Sequence, residues 1–595
     1  MKKLFIAAIL FVSSSCIKVI DPESNYITGD QLASSADALA GMVRAIPVRL
    51  VNYQNDDAGI EQCSYHGMLS MLEMMTTDMV VSGYGGFNTT SAYTYGNLSA
   101  RGSNRGIYPF YMYYGYIKAV NDVIGLIDSE TDDTTLKHYL GIAKAYRALF
   151  YMQVGAIYEY KAPTDSRYTE YYVAPEHDLT ELTVPIVTET TTGLDVKNNP
   201  RATFDTLYEF ILSDLKNAET LLADYTPSSK VYPSLAVVYG LYARAYMEMA
   251  SHKNATENYM QALNYAQLAI TTSGCSFLTE DQWLDPKTGF NDMTSQNSWM
   301  LACSISEGNT DGQGGGFHHT MLFGTETTYS SYGWRVGRSL NRKTYEAISD
   351  NDFRKLSWLG PDFFATETHY DDEAGKWAYT LRSADDTYVG NYRLTSDPQW
   401  LRNRITVANG FLAMPWIYPG IKFRCYAGNY TSHYPGCATD LPIMRVEEMH
   451  FIKAEAQYHL KQEEEARSTL KEIMNHRITD SSYTCIASGE NLLDEIMLQK
   501  RVEFWGEGIN FFDAKRLGLG VDRGWQGIGY SRYQGTYDID GIAFFWTIPF
   551  PTAEEDGNPA LQGYNNPYMY NTAMFTYQSN AALSQYYGIP PSYGN

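Results

Sequence analysis

Cysteine is scarce in this chain: seven in 595 residues, none in a C-x-x-C or a Cys/His cluster with zinc-ligand spacing. That excludes a zinc site of the kind written into local sequence. Basic residues are also short, with 45 Lys and Arg against 68 Asp and Glu and a net charge of −23. Nucleic-acid binders carry a basic footprint, so no nucleic acid is expected as a partner; attraction to anionic lipid is equally poor. Long apolar runs are missing too. The longest, Leu4 to Val12, is too short to span a bilayer. What is plentiful is tyrosine, 50 residues beside 10 tryptophans. A phenol has a flat apolar face and a polar tip, so it serves both a helical core and a contact surface that stays wet. The length allows one large or two ordinary domains with a sizeable core.

Lys2 and Lys3, the apolar run and Ser13-Ser14-Ser15 read as a secretory signal over residues 1–15. Small residues directly before a single cysteine resemble a bacterial lipobox, so Cys16 is the expected acylated N-terminus. Each buried methylene adds about 0.8 kcal/mol, and several acyl chains anchor stably in lipid. An exported setting permits disulfides. Of the other cysteines, Cys63, Cys275, Cys303, Cys425, Cys437 and Cys485, only Cys425 and Cys437 lie close, in a loop-like stretch with Tyr426, Gly428 and Gly436. A bridge between them is one possibility.

Helical periodicity dominates the rest. A tether from Asp21 leads into expected helices at Ser35 to Val48, Tyr65 to Met79, Tyr111 to Ile127 and Leu136 to Tyr158. Pro200 stops the chain ahead of Thr203, an N-cap with Asp205 in the first turn, and Phe204, Leu207, Tyr208, Ile211 and Leu215 then line one face. Two helix pairs follow, Ser234 to Ala250 with Asn258 to Thr272, and Val446 to Leu460 with Gln462 to His476. Ala262, Ala266 and Ala269, and in the second pair Ala454, Ala466, Leu470 and Ile473, sit where tetratricopeptide-like hairpins place packing residues. Such hairpins bury their apolar faces only by stacking on one another. The expected fold is all-α: a tetratricopeptide-like helical repeat scaffold. Its N-terminal helical region covers 16–272, and its C-terminal region, 273–595, opens with a loop-rich insertion at 273–439. So long an irregular segment in a helical protein is usually functional.

The run Arg501 to Leu517, RVEFWGEGINFFDAKRL, interleaves charges of both signs with large aromatics. Charges in a core must be paired, so a buried network is expected, joining Glu503 and Glu507 to Arg501 and Arg516. The two glutamates are four apart, the spacing of one helix face. A carboxylate pair among aromatics also suits glycoside hydrolysis, which needs about 5–9.5 Å between the groups. Nothing in the sequence marks an open cleft around this pair.

The order R-x-E-F-x-x-E-G-x-x-F-F-D-x-x-R resembles the signature of the SusD/RagB family. Asp21-Pro22 and Ala36 to Leu39, the stretch Gly141 to Glu159, and Trp546 to Pro551 with Glu554, Asn558-Pro559 and Leu561 resemble further elements of it, in order, from Cys16 to Gln562. One departure is Asn510, where the family usually carries an arginine. The resemblance implies a SusD-like fold and a lipid-anchored protein on the face of the outer membrane. Such a protein captures an oligosaccharide, or in RagB-like members a peptide, for a SusC-like TonB-dependent transporter, without catalysis or cofactor. The alternative is an extracellular glycoside hydrolase on a helical scaffold.

Ligand residues are not part of that signature, so the candidates rest on composition and location. Tyr84, Phe87, Asn88 and Tyr95, with Tyr93, stand in a glycine-rich loop after the second helix; Tyr329, Tyr332, Trp334 and Arg335 stand in the insertion. Aromatic faces cover the C–H patch of a sugar, and Asn and Arg serve its hydroxyls. The competing use of these rings is to pin loops to the scaffold. His318-His319, behind Gly312 to Gly316, lacks both the Lys-Ser/Thr of a phosphate loop and partners at metal spacing. Asp371-Asp372-Glu373 and Asp385-Asp386 lack the alternating oxygens of a calcium loop. No catalytic residue or metal ligand is assigned. Cys16→Ala is expected to release the protein from membranes without unfolding it, as fractionation in cells lacking the transporter will test; retention in the membrane fraction would remove the lipid anchor.

Overall fold

Five of the helices start at a side-chain cap. Ser35, Ser64, Asp133, Thr203 and Ser234 each hold extended backbone, and each side chain accepts the N–H of the residue three positions on. Such caps contribute about 1 kcal/mol apiece. The computed structural model describes residues 35–51, 64–81, 104–167, 174–307, 324–329, 338–360, 363, 365–371, 376–381, 392–398, 400–401, 418–480, 482–523 and 538–567. Its first run of helices is α1 (Ala36–Arg49), α2 (Tyr65–Glu73), α3 (Asn104–Leu126), α4 (Thr134–Tyr158), α5 (Phe204–Leu221), α6 (Leu235–His252) and α7 (Ala255–Ser273). The second run is α8 (Val446–His459), α9 (Glu463–Asn475), α10 (Glu490–Glu503) and α11 (Ile509–Leu517).

Two helices differ from the periodicity. α2 stops at Glu73 instead of Met79, because the Thr76 hydroxyl and N–H both donate to the Glu73 carbonyl. Short polar side chains offer the backbone such alternatives. The chain then becomes β1 (Met79–Val81). α3 begins at Asn104, ahead of the expected Tyr111.

The helices stack in sequence: α3 on α4, α4 on α5, α5 on α6, α6 on α7. The array then continues with α8 packed on α7 and α9 on α8, although the whole insertion lies between Ser273 and Val446. Ala262, Ala266, Ala269 and Ala454 are completely buried at these contacts. The fold is all-α and tetratricopeptide-like. Its few strands form two-stranded antiparallel ladders only, among the described residues. β2 (Trp299–Ser304) pairs with β6 (Asp440–Arg445) and closes the neck of the insertion, while β3 (Arg338–Leu340) pairs with β1. β4 (Ala365–Asp371) pairs with β5 (Lys376–Leu381), and β7 (Val521–Asp522) with β8 (Asp538–Ile539).

The insertion is fastened to the helices by buried charge. Glu503 accepts from Arg477 (2.8 and 2.9 Å), Arg445 (3.1 Å) and Arg354 (3.0 Å). Glu507 accepts from Lys422 (2.6 Å) and Arg445 (2.8 and 3.0 Å). Glu447 joins Arg477 and Arg445, and Asp352 joins Arg354. Four cations thus face four carboxylates, all buried. Trp283, Phe290 and Phe504 lie against the cations, with Arg445 4.6 Å from the Phe504 ring centre. Burial alone would raise the Glu503 carboxyl, but Arg477 and Arg445 hold it well below the usual range.

The partners differ from those the sequence suggested. Arg501 pairs with Asp78 (3.1 Å), and Arg516 with Glu455 (2.6 Å) and Asp513 (2.8 Å). Arg501 is two residues from Glu503 on α10 and so points to another side of the helix. Nor do Glu503 and Glu507 share a helix face. The helix ends at Glu503, and Gly506 and Gly508 turn the chain with φ of 81° and 80°. At Gly508 a Cβ would collide with Leu69, so glycine is required there for space as well as conformation.

At the departure noted above, Asn510 donates to Glu73 (3.0 Å), a buried carboxylate that also accepts from the N–H groups of Gly506 and Gly508. Burial pushes Glu73 from 4.5 up to about 7 against those hydrogen bonds.

Two stability tests follow from this arrangement. Glu507→Gln strands buried cations and should cost about 3–5 kcal/mol in denaturant melts; an unchanged midpoint would mean the network contributes nothing. Glu73 has a raised folded-state pKa, so its contribution is full below about pH 4.5 and is lost as pH rises to about 7. Melts at pH 5 and pH 8 should therefore show a loss on the order of 3 kcal/mol from this group, flattened in Glu73→Gln; an equal slope in both proteins would refute the assignment.

Candidate functional site

The site is built where β1 meets the insertion. Val81 of β1 is the register partner of Arg338 of β3, and Met79 that of Leu340. The chain leaves β1 at Val81 and enters β3 at Arg338. Two segments far apart in sequence therefore attach at one end of a single ladder. Asp78 secures it: its carbonyl accepts the Asn341 N–H (2.9 Å), and its carboxylate accepts from the Thr344 hydroxyl (2.7 Å). On the far side of β3, the Gly420 N–H donates to the Arg338 carbonyl (2.8 Å).

Gly420 extends the arrangement outward. Its carbonyl accepts from the Thr325 hydroxyl (2.7 Å), in the turn Gly324–Glu326, and Glu326 is ion-paired with Arg424. The Thr328 N–H reaches the Tyr430 carbonyl (2.8 Å), and the Tyr329 hydroxyl donates to the Asn429 carbonyl (3.2 Å). The loop 426–437 is held in this way against the 324–329 strip. It reverses through Ala427 and Gly428, with φ of 52° and 71°. Its rings face two ways. Tyr329 is half-buried and sets its ring edge-on to His433 at 5.5 Å. Tyr426 and Tyr434 are turned to solvent, 43% and 52% exposed. Trp400 stands 6.0 Å from Tyr430 beside them.

Burial lowers His433, so its imidazole is neutral at pH 7, and burial raises the Tyr329 phenol, with Cys437 and Cys425 adding to it. Cys425 and Cys437 are free, buried thiols pushed up to about 12. Tyr426 and Tyr434 offer flat ring faces with hydroxyls at the rim, a surface for stacking and hydrogen bonding.

Among the sequence candidates, Tyr329 is described, and it braces the loop. Tyr84, Phe87, Asn88, Tyr93 and Tyr95 fall in the segment that begins after Val81, and Tyr332, Trp334 and Arg335 in the one that ends before Arg338; all lie outside the described residues, as do Cys16, His318 and His319. Tyr426, Tyr434 and Trp400 were missed. A signal was present: Tyr426 to Gly436, YAGNYTSHYPG, has the same mixture of tyrosine, glycine and asparagine as the two groups chosen. The glycosidase pair is corrected. Glu503 and Glu507 are 0% and 5% exposed and saturated by cations, so neither can reach a glycosidic bond.

Comparison with known proteins bears on this face. Residues 247–588 match the model of the SusD family, and residues 69–247 match a family described as starch-binding, associating with outer membrane. A SusD superfamily protein from Bacteroides thetaiotaomicron superimposes with a TM-score of 0.64 at 20% identity, covering 89% of this chain and 99% of its own. A SusD-like carbohydrate binding protein from Bacteroides vulgatus gives 0.63 at 18%, covering 88% and 96%. Surface glycan-binding protein A from B. thetaiotaomicron, solved with laminarihexaose, gives 0.57 at 17%, covering 89% and 99%. None of the curated proteins matches this chain.

Proposed function

The chain belongs to the SusD family, and from that premise we propose that it is a non-catalytic glycan-capture lipoprotein. Anchored through Cys16 to the outer membrane and exposed at the cell surface, it binds oligosaccharide and passes it to a SusC-like TonB-dependent transporter. The observation that carries the reading is the pair of exposed tyrosines, Tyr426 and Tyr434, tied through Gly420 to the ladder end at Val81 and Arg338. The two segments chosen for their sugar-binding composition attach at that ladder end. We assign Tyr84, Phe87, Asn88, Tyr95, Tyr332, Trp334 and Arg335 to the ligand surface, with Tyr329 bracing it. The glycan-bound relative and the starch-binding family description support a carbohydrate ligand, and the latter also supports outer-membrane association. The use of Glu503 and Glu507 as ion-pair partners supports binding without turnover.

Calorimetric titration with laminarihexaose and maltohexaose tests the proposal. At least one should bind, be recovered intact, and show little salt dependence, since ring and hydroxyl contacts are not ion pairs. Trp334→Ala and Tyr434→Ala should each weaken binding by about fivefold, the loss of roughly 1 kcal/mol of ring contact, with helicity unchanged. Unaltered affinity in both variants would move the site elsewhere. Shortened products would replace a receptor with a hydrolase.

A further inference from the structure

A second cluster of chemistry-bearing side chains lies where α4 and α6 end together. Glu159 is the C-cap of α4; Glu248 and His252 are four apart on the last turn of α6 and share a face. One ligand atom from each of the three lies within 4.8 Å of the others, and His252 Nε2 is 2.8 Å from the Glu159 carboxylate. Glu159 and Glu248 are buried, at 2% and 8% exposure. Among the described residues, Lys161 is ion-paired with both, at 3.7 and 3.6 Å, too long for a direct hydrogen bond.

An independent observation points to a missing partner. Tyr208 is 2% exposed, and its hydroxyl has no hydrogen-bond partner among the described residues. It lines a cavity of about 80 Å³ together with Glu248, and Glu248 and Glu159 are the charges that most influence its phenol. A stack of three rings holds it there: Tyr208 lies 4.2 Å from Phe204, and Phe204 lies 3.5 Å from His252. The same stack that orients the orphan hydroxyl orients the imidazole.

We propose that Glu159, Glu248 and His252 form a binding site for a divalent transition-metal cation of the zinc class, with Tyr208 supporting the remaining coordination position. Two carboxylates and an imidazole are a zinc ligand set, whereas calcium takes six to eight oxygens and no nitrogen. Zinc ligand atoms sit about 3.4 Å apart, so small side-chain rotations close the present set. Two helix C-termini converge on the point, and their partial negative charge favours a cation there. Lys161 has to give up its two ion pairs, 3.7 and 3.6 Å long, as the cation enters. The metal would join the ends of α4 and α6 beside Lys515 of α11, whose ammonium already donates to the carbonyls of Ala156, Ile157 and Glu159. It is a structural staple, separate from the ligand face.

The test uses purified full-length protein stripped with chelator and titrated with zinc. One zinc per chain is expected, with a raised melting temperature, and calcium should not substitute. Glu248→Gln and His252→Ala should each weaken binding at least about tenfold, and Tyr208→Phe by about tenfold, as loss of a supporting group does. A His318→Ala/His319→Ala double variant should bind as the wild type does. Absence of stoichiometric zinc, or wild-type affinity in both ligand variants, overturns the site. If those variants fail to fold, cobalt in the wild-type protein decides: the intense visible bands of a four-coordinate site support the proposal, and a weak six-coordinate spectrum refutes it.

Discussion

The buried exchange between four cations and four carboxylates is the joint on which this structure depends. Asp352, Arg354 and Lys422 come from the insertion, Arg445 and Glu447 from the return into α8, Arg477 from just after α9, Glu503 from the end of α10 and Glu507 from the turn that follows it. A segment with little regular secondary structure cannot dock through a long apolar stripe. Its scattered apolar side chains, among them Trp283, Phe290, Phe353 and Trp358, join the main core, and directional, charge-assisted hydrogen bonds between buried groups fasten it further. Desolvation makes any unpaired member costly, so the arrangement specifies one seating of the insertion more than it adds raw stability. The aromatic shell of Trp283, Phe290 and Phe504 keeps water out and sets ring faces against the cations.

That joint explains how a helical array tolerates so large an excursion. Hairpin repeats are stabilised by nearest neighbours, so α8 can stack on α7 whatever the chain does between them. The β2–β6 ladder closes the neck, and the ion network fixes what lies beyond it. Loops on such a base are free to differ in sequence while the scaffold stays the same, which is how binding surfaces are usually carried. The 426–437 loop and the ladder end at Val81 and Arg338 are linked through the hydrogen bonds of Gly420 and the 324–329 strip.

Much of this was legible in the sequence, and the limits have a common cause. Helical periodicity, caps and the small residues at Ala262, Ala266, Ala269 and Ala454 are local signals, and they located the helices of the array. Charges interleaved with aromatics from Arg501 onward announced a buried network, because unpaired charge is not tolerated in a core. The partners were misassigned from proximity in the chain. Arg501 and Arg516 are near in sequence, yet the cations on Glu503 are Arg354, Arg445 and Arg477. The helix break at Gly506 and Gly508 turned a spacing of four into a different geometry. The exposed tyrosines at 426 and 434 share the composition of the groups chosen, and exposure is not a property of composition.

By itself the sequence determined the fold class, the family, the need for a buried ion network and the acidic net charge. Each follows from periodicity, motif order or residue chemistry, which are properties of neighbouring residues. Tertiary structure alone decided which charges pair, which rings face solvent, and that the stretches after Val81 and before Arg338 start from one ladder end. It also decided that Glu159 meets Glu248 and His252, and that the buried Tyr208 hydroxyl finds no partner among the described residues. Those facts depend on how distant segments pack, and packing places side chains by shape and desolvation across the whole chain, information that no local window contains.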